Sequence, residues 1–212
     1  MIFFSYYFCL YSYRNFFTVR RKILLDELIK IADLTGDECI LDIGTGSGFL
    51  AIGFAKQLTQ GCVYAIDKYA ADTLNVFKII YEVIKINFIV CSLKQAKRNA
   101  EIENVSSRCT FINLDLLEGL DFDDNYFDLI VSSQTIPFIL KETDDETTVV
   151  CEIDRVLKNN GKILLIESKK YKEWDITNFQ GYFEELGYET RVIERKFHLN
   201  DCFFIAEKNP SK

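Results

Sequence analysis

The 212-residue chain predicts an α/β fold, a seven-stranded, mostly parallel and doubly wound sheet with helices on both faces and an antiparallel last strand. Three observations lead there. Short apolar runs alternate with segments of helical period, the pattern that βαβ units leave in a sequence. The stretch Ile40-Leu41-Asp42-Ile43-Gly44-Thr45-Gly46-Ser47-Gly48-Phe49-Leu50 passes from a strand through a glycine-rich turn into a helix. The last two apolar runs, Tyr188 to Glu194 and Cys202 to Ala206, are joined by a link short enough to favour an antiparallel pair.

Residues 1–17 are unusually aromatic and uncharged up to Arg14. They are too short for a spanning helix and lack the basic leader of a secretory signal. An aromatic anchor at a membrane surface and a plain extension ahead of the domain both stay open. From Arg20, Leu24, Leu28 and Ile31 fall on one stripe with Leu25, Ile29 and Ala32, so an amphipathic helix runs to about Leu34 and opens the domain, which extends over 20–208. In the strand, turn and helix that follow, Gly44, Gly46 and Gly48 permit positive φ and let a ligand approach the backbone, while the amides at the helix start offer donors. Gly61 reads as the end of that helix.

Cys62 to Asp67 forms a second buried strand that closes on an acid 23 positions after Gly44. A right-handed crossover brings the end of this strand beside the first, where the carboxylate can accept from both ribose hydroxyls of a nucleoside. The segment 75–91 is apolar apart from Lys78, Glu82 and Lys85, which form one narrow helical stripe. Ser92 and Gln95 then open a helix as a capping box. Cys109 to Asn113 is a third strand, with Asp115 and Leu116 at its end, and Asp115 also suits a helix cap. Tyr126 to Ser133 is a fourth strand. Thr143 with Glu146 caps a helix ended by Asn160-Gly161, a fifth strand runs from Lys162 to Glu167, and a helix around Ile176 to Leu186 precedes the final pair.

The glycine turn does not match a dinucleotide fingerprint, because its sixth place is Phe49 where a glycine is required. Asp42-x-Gly44-x-Gly46-x-Gly48 instead closely resembles the first motif of the class I, Rossmann-like S-adenosylmethionine-dependent methyltransferases. The run Ile153 to Leu164, with Arg155-Val156-Leu157-Lys158-Asn159-Asn160-Gly161, resembles their late structural motif. The resemblance covers about 20–208 except 75–91, an apparent insert for which a lid, a membrane-facing helix, a partner surface and a gene-model origin are competing readings.

That resemblance implies S-adenosyl-L-methionine as cofactor, with Asp42 toward its ammonium, Asp67 on the ribose, and Asp115 with Leu116 around the adenine. The full expected set is Asp42, Gly44, Thr45, Gly46, Gly48, Asp67, Lys68, Asp115, Leu116 and Ser132. It also implies an acceptor held after the fourth strand. Amino-directed members place Asn or Asp before Pro-Pro-aromatic there, whereas this chain has Ser132-Ser133-Gln134-Thr135-Ile136-Pro137-Phe138. It is more similar to the small-molecule branch typified by quinone biosynthesis, from which it departs in lacking a histidine pair at Pro137 and Phe138.

Composition narrows the alternatives. A net charge of −7 argues against a dedicated nucleic-acid binder. Seven scattered cysteines without a C-x-x-C suggest neither a disulfide framework nor a zinc site and point to a reducing, cytoplasmic compartment, and a single histidine, His198, leaves no His-rich metal centre. His198 lies in the link before the last strand, where an imidazole at the acceptor rim could take a proton; a solvated turn histidine is the other reading. The expected activity is methyl transfer to a small-molecule acceptor by in-line displacement. The alternatives are a non-catalytic cofactor-binding or regulatory subunit and a methyltransferase acting on protein or RNA.

Overall fold

The computed structural model describes residues 21–69, 92–143, 145–171, 174–194 and 201–209. The expectations for 1–17 and 75–91, and the placement of His198, lie outside these residues. The chain divides into two compact units at Asp33/Leu34. In the first, α1 covers residues 21–32, with Leu24, Leu25, Leu28 and Ala32 buried as its period demands.

The second unit holds a seven-stranded sheet: β1 (Cys39–Ile43), β2 (Cys62–Asp67), β3 (Cys109–Asn113), β4 (Phe127–Ser133), β5 (Leu157–Ser168), β8 (Glu189–Glu194) and β9 (Asp201–Glu207). A two-stranded ribbon of β6 (Lys170–Tyr171) and β7 (Trp174–Asp175) forms a separate sheet. The sheet order is β3-β2-β1-β4-β5-β9-β8, parallel except where β9 runs against both β5 and β8. This is the predicted topology, including the reversed final strand.

Alternation along each strand divides the core between two faces. Leu41, Ile43, Ile130, Ile163, Leu165 and Phe204 join one buried cluster with Val149 and Ile153 of α5 (Glu146–Val156) and Phe179 and Phe183 of α6 (Ile176–Glu185). Ile40, Val63, Ala65, Leu129, Val131 and Leu164 are equally buried and point the other way. On that side Phe111 lies against Gly48, at the start of α2 (Phe49–Ala55). Burial on both faces is why these strands read as near-continuous apolar runs.

Local chemistry sets some of the helix ends and tertiary contacts set the others. Ser92 Oγ accepts from Gln95 N and starts α3 (Leu93–Ile102) as predicted. At α5 the cap is Asp145, whose carboxylate accepts from Thr147 N, so the helix begins later than Thr143. It also ends earlier, at Val156: Asn125 N and Tyr126 N take the carbonyls of Arg155 and Val156, and Leu157 pairs with Phe127. Likewise α2 ends at Ala55, well before Gly61. Gly61 serves a different purpose, since a Cβ there would lie 2.2 Å from Glu38 O while Thr59, Gln60 and Gly61 amides converge on Gly36 O. The short α4 (Ile136–Leu140) after β4 was not expected.

Candidate functional site

Strand order reverses between β1 and β4, and in open parallel sheets a crevice opens at the carboxyl ends on either side of such a switch. A cleft open at its mouth stands there, the concave setting in which small-ligand sites are usually found. Its floor is Ile43, Gly44 and Ile66; Asp67, Lys68 and Asp115 form one side, and Thr135, Phe138 and Ile139 the other.

The glycine turn is tied to β2. Gly44 N and Thr45 N donate to Ile66 O at 2.9 and 3.1 Å, and Gly46 N donates to Asp67 Oδ2 at 2.8 Å. Gly44, Gly46 and Gly48 have φ of 69°, 56° and 87°, the left-handed region that disfavours a side chain. At Gly44 the packing is equally restrictive, because a Cβ would stand 2.2 Å from Thr135 Oγ1. Thr135 Oγ1 itself donates toward Gly44 O at 3.3 Å, so the turn after β4 closes over the turn after β1.

Asp67 is half-buried at the cleft wall; burial pushes its pKa up and the Gly46 N–H partly counters it. One oxygen is committed to Gly46, and a carboxylate has acceptor positions beyond that single bond. Asp115 uses Oδ1 to accept from Leu117 N, capping a 3-10 turn, and pairs through Oδ2 with Lys68 Nζ at 2.7 Å. The Lys68 ammonium reaches Glu142 at 3.3 Å as well, and Asp115 followed by Glu142 raises its pKa. With its side chain 62% exposed, this is a solvent-screened latch across the cleft mouth.

Other expected residues are turned inward. Asp42 is 1% exposed, with Oδ2 accepting from Ala51 N at 3.0 Å inside α2, and it does not line the cleft. Ser132 is fully buried and donates to Ile43 O at 2.8 Å, which staples β4 to β1. Leu116 is buried at the cleft edge. Thr45 is nearly buried, and its Oγ1 has no hydrogen-bond partner among the described residues.

Glu167, at the end of β5, escaped functional attention in the sequence. It is fully buried, and its Oε1 accepts from Thr135 N at 3.0 Å and Ile136 N at 3.1 Å, fixing the turn that forms the far wall of the cleft. Burial pushes its pKa up to about 8 against the pull of the two amides, with Asp201 adding to the rise. The available signal was an acid ending the apolar run Ile163 to Ile166, the feature that had singled out Asp67.

Comparison with known proteins agrees with this architecture. A methyltransferase domain family model matches residues 70–165. The chain is 31% identical over 144 residues to a ubiquinone/menaquinone biosynthesis C-methyltransferase of Rickettsia massiliae, covering 68% of this chain and 50% of that protein. It is 35% identical over 112 residues to a release factor glutamine methyltransferase of Rhodopirellula baltica, covering 52% of this chain and 30% of that one. The chain thus spans half or less of the length of these two curated relatives. A crystal structure of a SAM-dependent methyltransferase from Aquifex aeolicus superposes with a TM-score of 0.61 at 18% identity, over 86% of this chain and 88% of the other.

Proposed function

Because the chain has the class I, Rossmann-like S-adenosylmethionine-dependent methyltransferase fold, we propose that it transfers a methyl group from S-adenosyl-L-methionine to a small-molecule acceptor. The observation that carries the proposal is the coupling of the glycine turn to Asp67 at the cleft wall. Gly44 leaves no room for a side chain, so the backbone itself forms the surface that a ligand meets. These residues fit the cofactor. Asp67 would hold its ribose, Asp115 and Leu116 its adenine, and Gly44, Thr45, Gly46 and Gly48 the backbone cradle, with Lys68 at the mouth.

When bound, the cofactor supplies a methyl on a sulfonium that is already a good leaving group. The chain's own task is therefore to align the acceptor and exclude water, and no protein nucleophile is required. Thr135, Phe138 and Ile139 would bound the acceptor's approach, held in place by Glu167 through the amides of Thr135 and Ile136. His198, in the link before β9, is proposed as a proton acceptor on the acceptor side.

A small-molecule acceptor is favoured by the Ser132-Ser133-Gln134-Thr135 turn, which lacks the Asn-Pro-Pro-aromatic pattern of amino-directed enzymes, and by similarity to the quinone-biosynthesis enzyme. The similarity to a release factor glutamine methyltransferase supports a protein acceptor as the second reading. Incubation with methyl-labelled cofactor and a cell extract separated into small molecules and proteins tests both. Label in a new small molecule supports the proposal; label in protein alone supports the second reading; label in neither fraction leaves the binding-subunit alternative.

A further inference from the structure

Cys39 and Cys62 are the first residues of β1 and β2 and are paired directly in the parallel register. Their Sγ atoms lie 3.5 Å apart, at the end of the sheet opposite the cleft. Neighbouring strands run about 4.7–4.9 Å apart, and the Cα separations of disulfides span about 4.4–6.8 Å, so the backbone need move little to join them. Each cysteine begins its strand, and the segments before them are tied together by the Thr59, Gln60 and Gly61 amides on Gly36 O and by Cys62 N on Glu38 O, which holds the two strand starts side by side. Both are partly exposed, which admits a small oxidant.

We propose that Cys39 and Cys62 form a reversible disulfide that pins the glycine turn into the sheet. The bond would close the 22 residues between them, which carry Gly44, Gly46, Gly48 and all of α2. With hydrogen peroxide as oxidant, one thiolate attacks a peroxide oxygen, the O–O bond breaks, and a sulfenic acid forms with release of one water. The second sulfur then attacks the sulfenic sulfur and expels another water. Two thiols and one peroxide become one disulfide and two waters.

Burial, the neighbouring Cys62 thiol and Asp128 push the Cys39 thiol up, while Lys158 pulls it down. Oxidation is therefore slower than at an exposed cysteine, and Cys151, which is exposed, serves as an internal clock. The folded wild-type chain is treated with hydrogen peroxide until Cys151 is oxidised, remaining thiols are alkylated, and the non-reduced tryptic digest is analysed by mass spectrometry. Cleavage at Lys30, Lys56 and Lys68 leaves Cys39 and Cys62 on separate peptides, 31–56 and 57–68.

The expected result is these two peptides joined, 2 Da lighter than their sum, in more than half of the chains. The crosslinked chain should melt about 5–10 °C higher, with the gain removed by dithiothreitol. Two results overturn the proposal: recovery of Cys39 and Cys62 unlinked or bonded to other cysteines, or a crosslinked chain that melts no higher. The mapping is made on the wild-type chain and depends on no substitution and no cofactor.

Discussion

Raising the pH through neutrality charges a carboxyl group that the fold has sealed from water, and Glu167→Gln removes that group. Glu167 has its Oε1 engaged by two amides, while its Oε2 has no partner among the described residues. Its pKa rises from the ordinary 4.5 to about 8, so between these values the folded chain keeps a proton that the unfolded chain has released. The stability this group contributes is therefore complete below about pH 4.5, is lost as pH rises through the window, and levels off above about pH 8. At about 1.4 kcal/mol per pH unit the loss amounts to about 5 kcal/mol. Glutamine retains an oxygen for both amides but buries an NH2 where Oε2 stood, a pH-independent cost of about 1–3 kcal/mol. Urea unfolding of both forms from pH 5 to 9 reads the difference, and groups common to both, Asp67 included, cancel in it. The wild type should be the more stable form at pH 5 and the less stable above pH 8. A difference that stays constant across this range would refute the reasoning.

Two further outcomes follow from other contacts and a third from the role proposed for His198. Gly44→Ala forces a side chain into the left-handed region and against Thr135, and should cost about 2–4 kcal/mol in urea unfolding; an unchanged midpoint would mean that the turn relaxes freely. Arg155→Ala removes a half-buried guanidinium that donates to Leu120 O and Phe122 O and pairs with Asp124 and Glu152. It should destabilise the chain by about 2–3 kcal/mol, with faster hydrogen exchange confined to 120–126, whereas uniform exchange would show that the loop needs no such anchor. His198→Ala, assayed on an identified acceptor, should lower the turnover rate by about 100-fold and alter its pH profile; an unchanged rate and profile would remove the residue from the chemistry.

The sheet was legible in the sequence because its central strands are buried on both faces. Cys62 to Asp67 and Cys109 to Asn113 were bounded to the residue, as turn chemistry and apolar runs coincide there. Boundaries failed where a long-range partner decided them. Val156 ends α5 because β4 needs its carbonyl, and Gly61 is a glycine because Glu38 crosses it, contacts that no local pattern reveals. The site followed the same division. Gly44, Asp67, Lys68, Asp115 and Leu116 converge on one cleft as their positions at strand ends imply. Asp42 and Ser132, each next to last in its strand, turn inward to Ala51 N and Ile43 O, because the first turn of α2 and the buried end of β1 hold backbone groups that need partners. Glu167 and Thr135 were missed since their importance lies in one another: the acid fixes the turn that shapes the cleft wall.

Asp67 and the glycine turn are the proposed seat of the cofactor, and calorimetric titration with S-adenosylhomocysteine reads that seat without any knowledge of the acceptor. Wild-type chain should bind one equivalent, and Asp67→Ala, with its fold verified by circular dichroism, should bind more weakly by about 1.5–3 kcal/mol, or about 10- to 150-fold. Absence of binding by the wild type, or equal affinity in a folded Asp67→Ala chain, would contradict it.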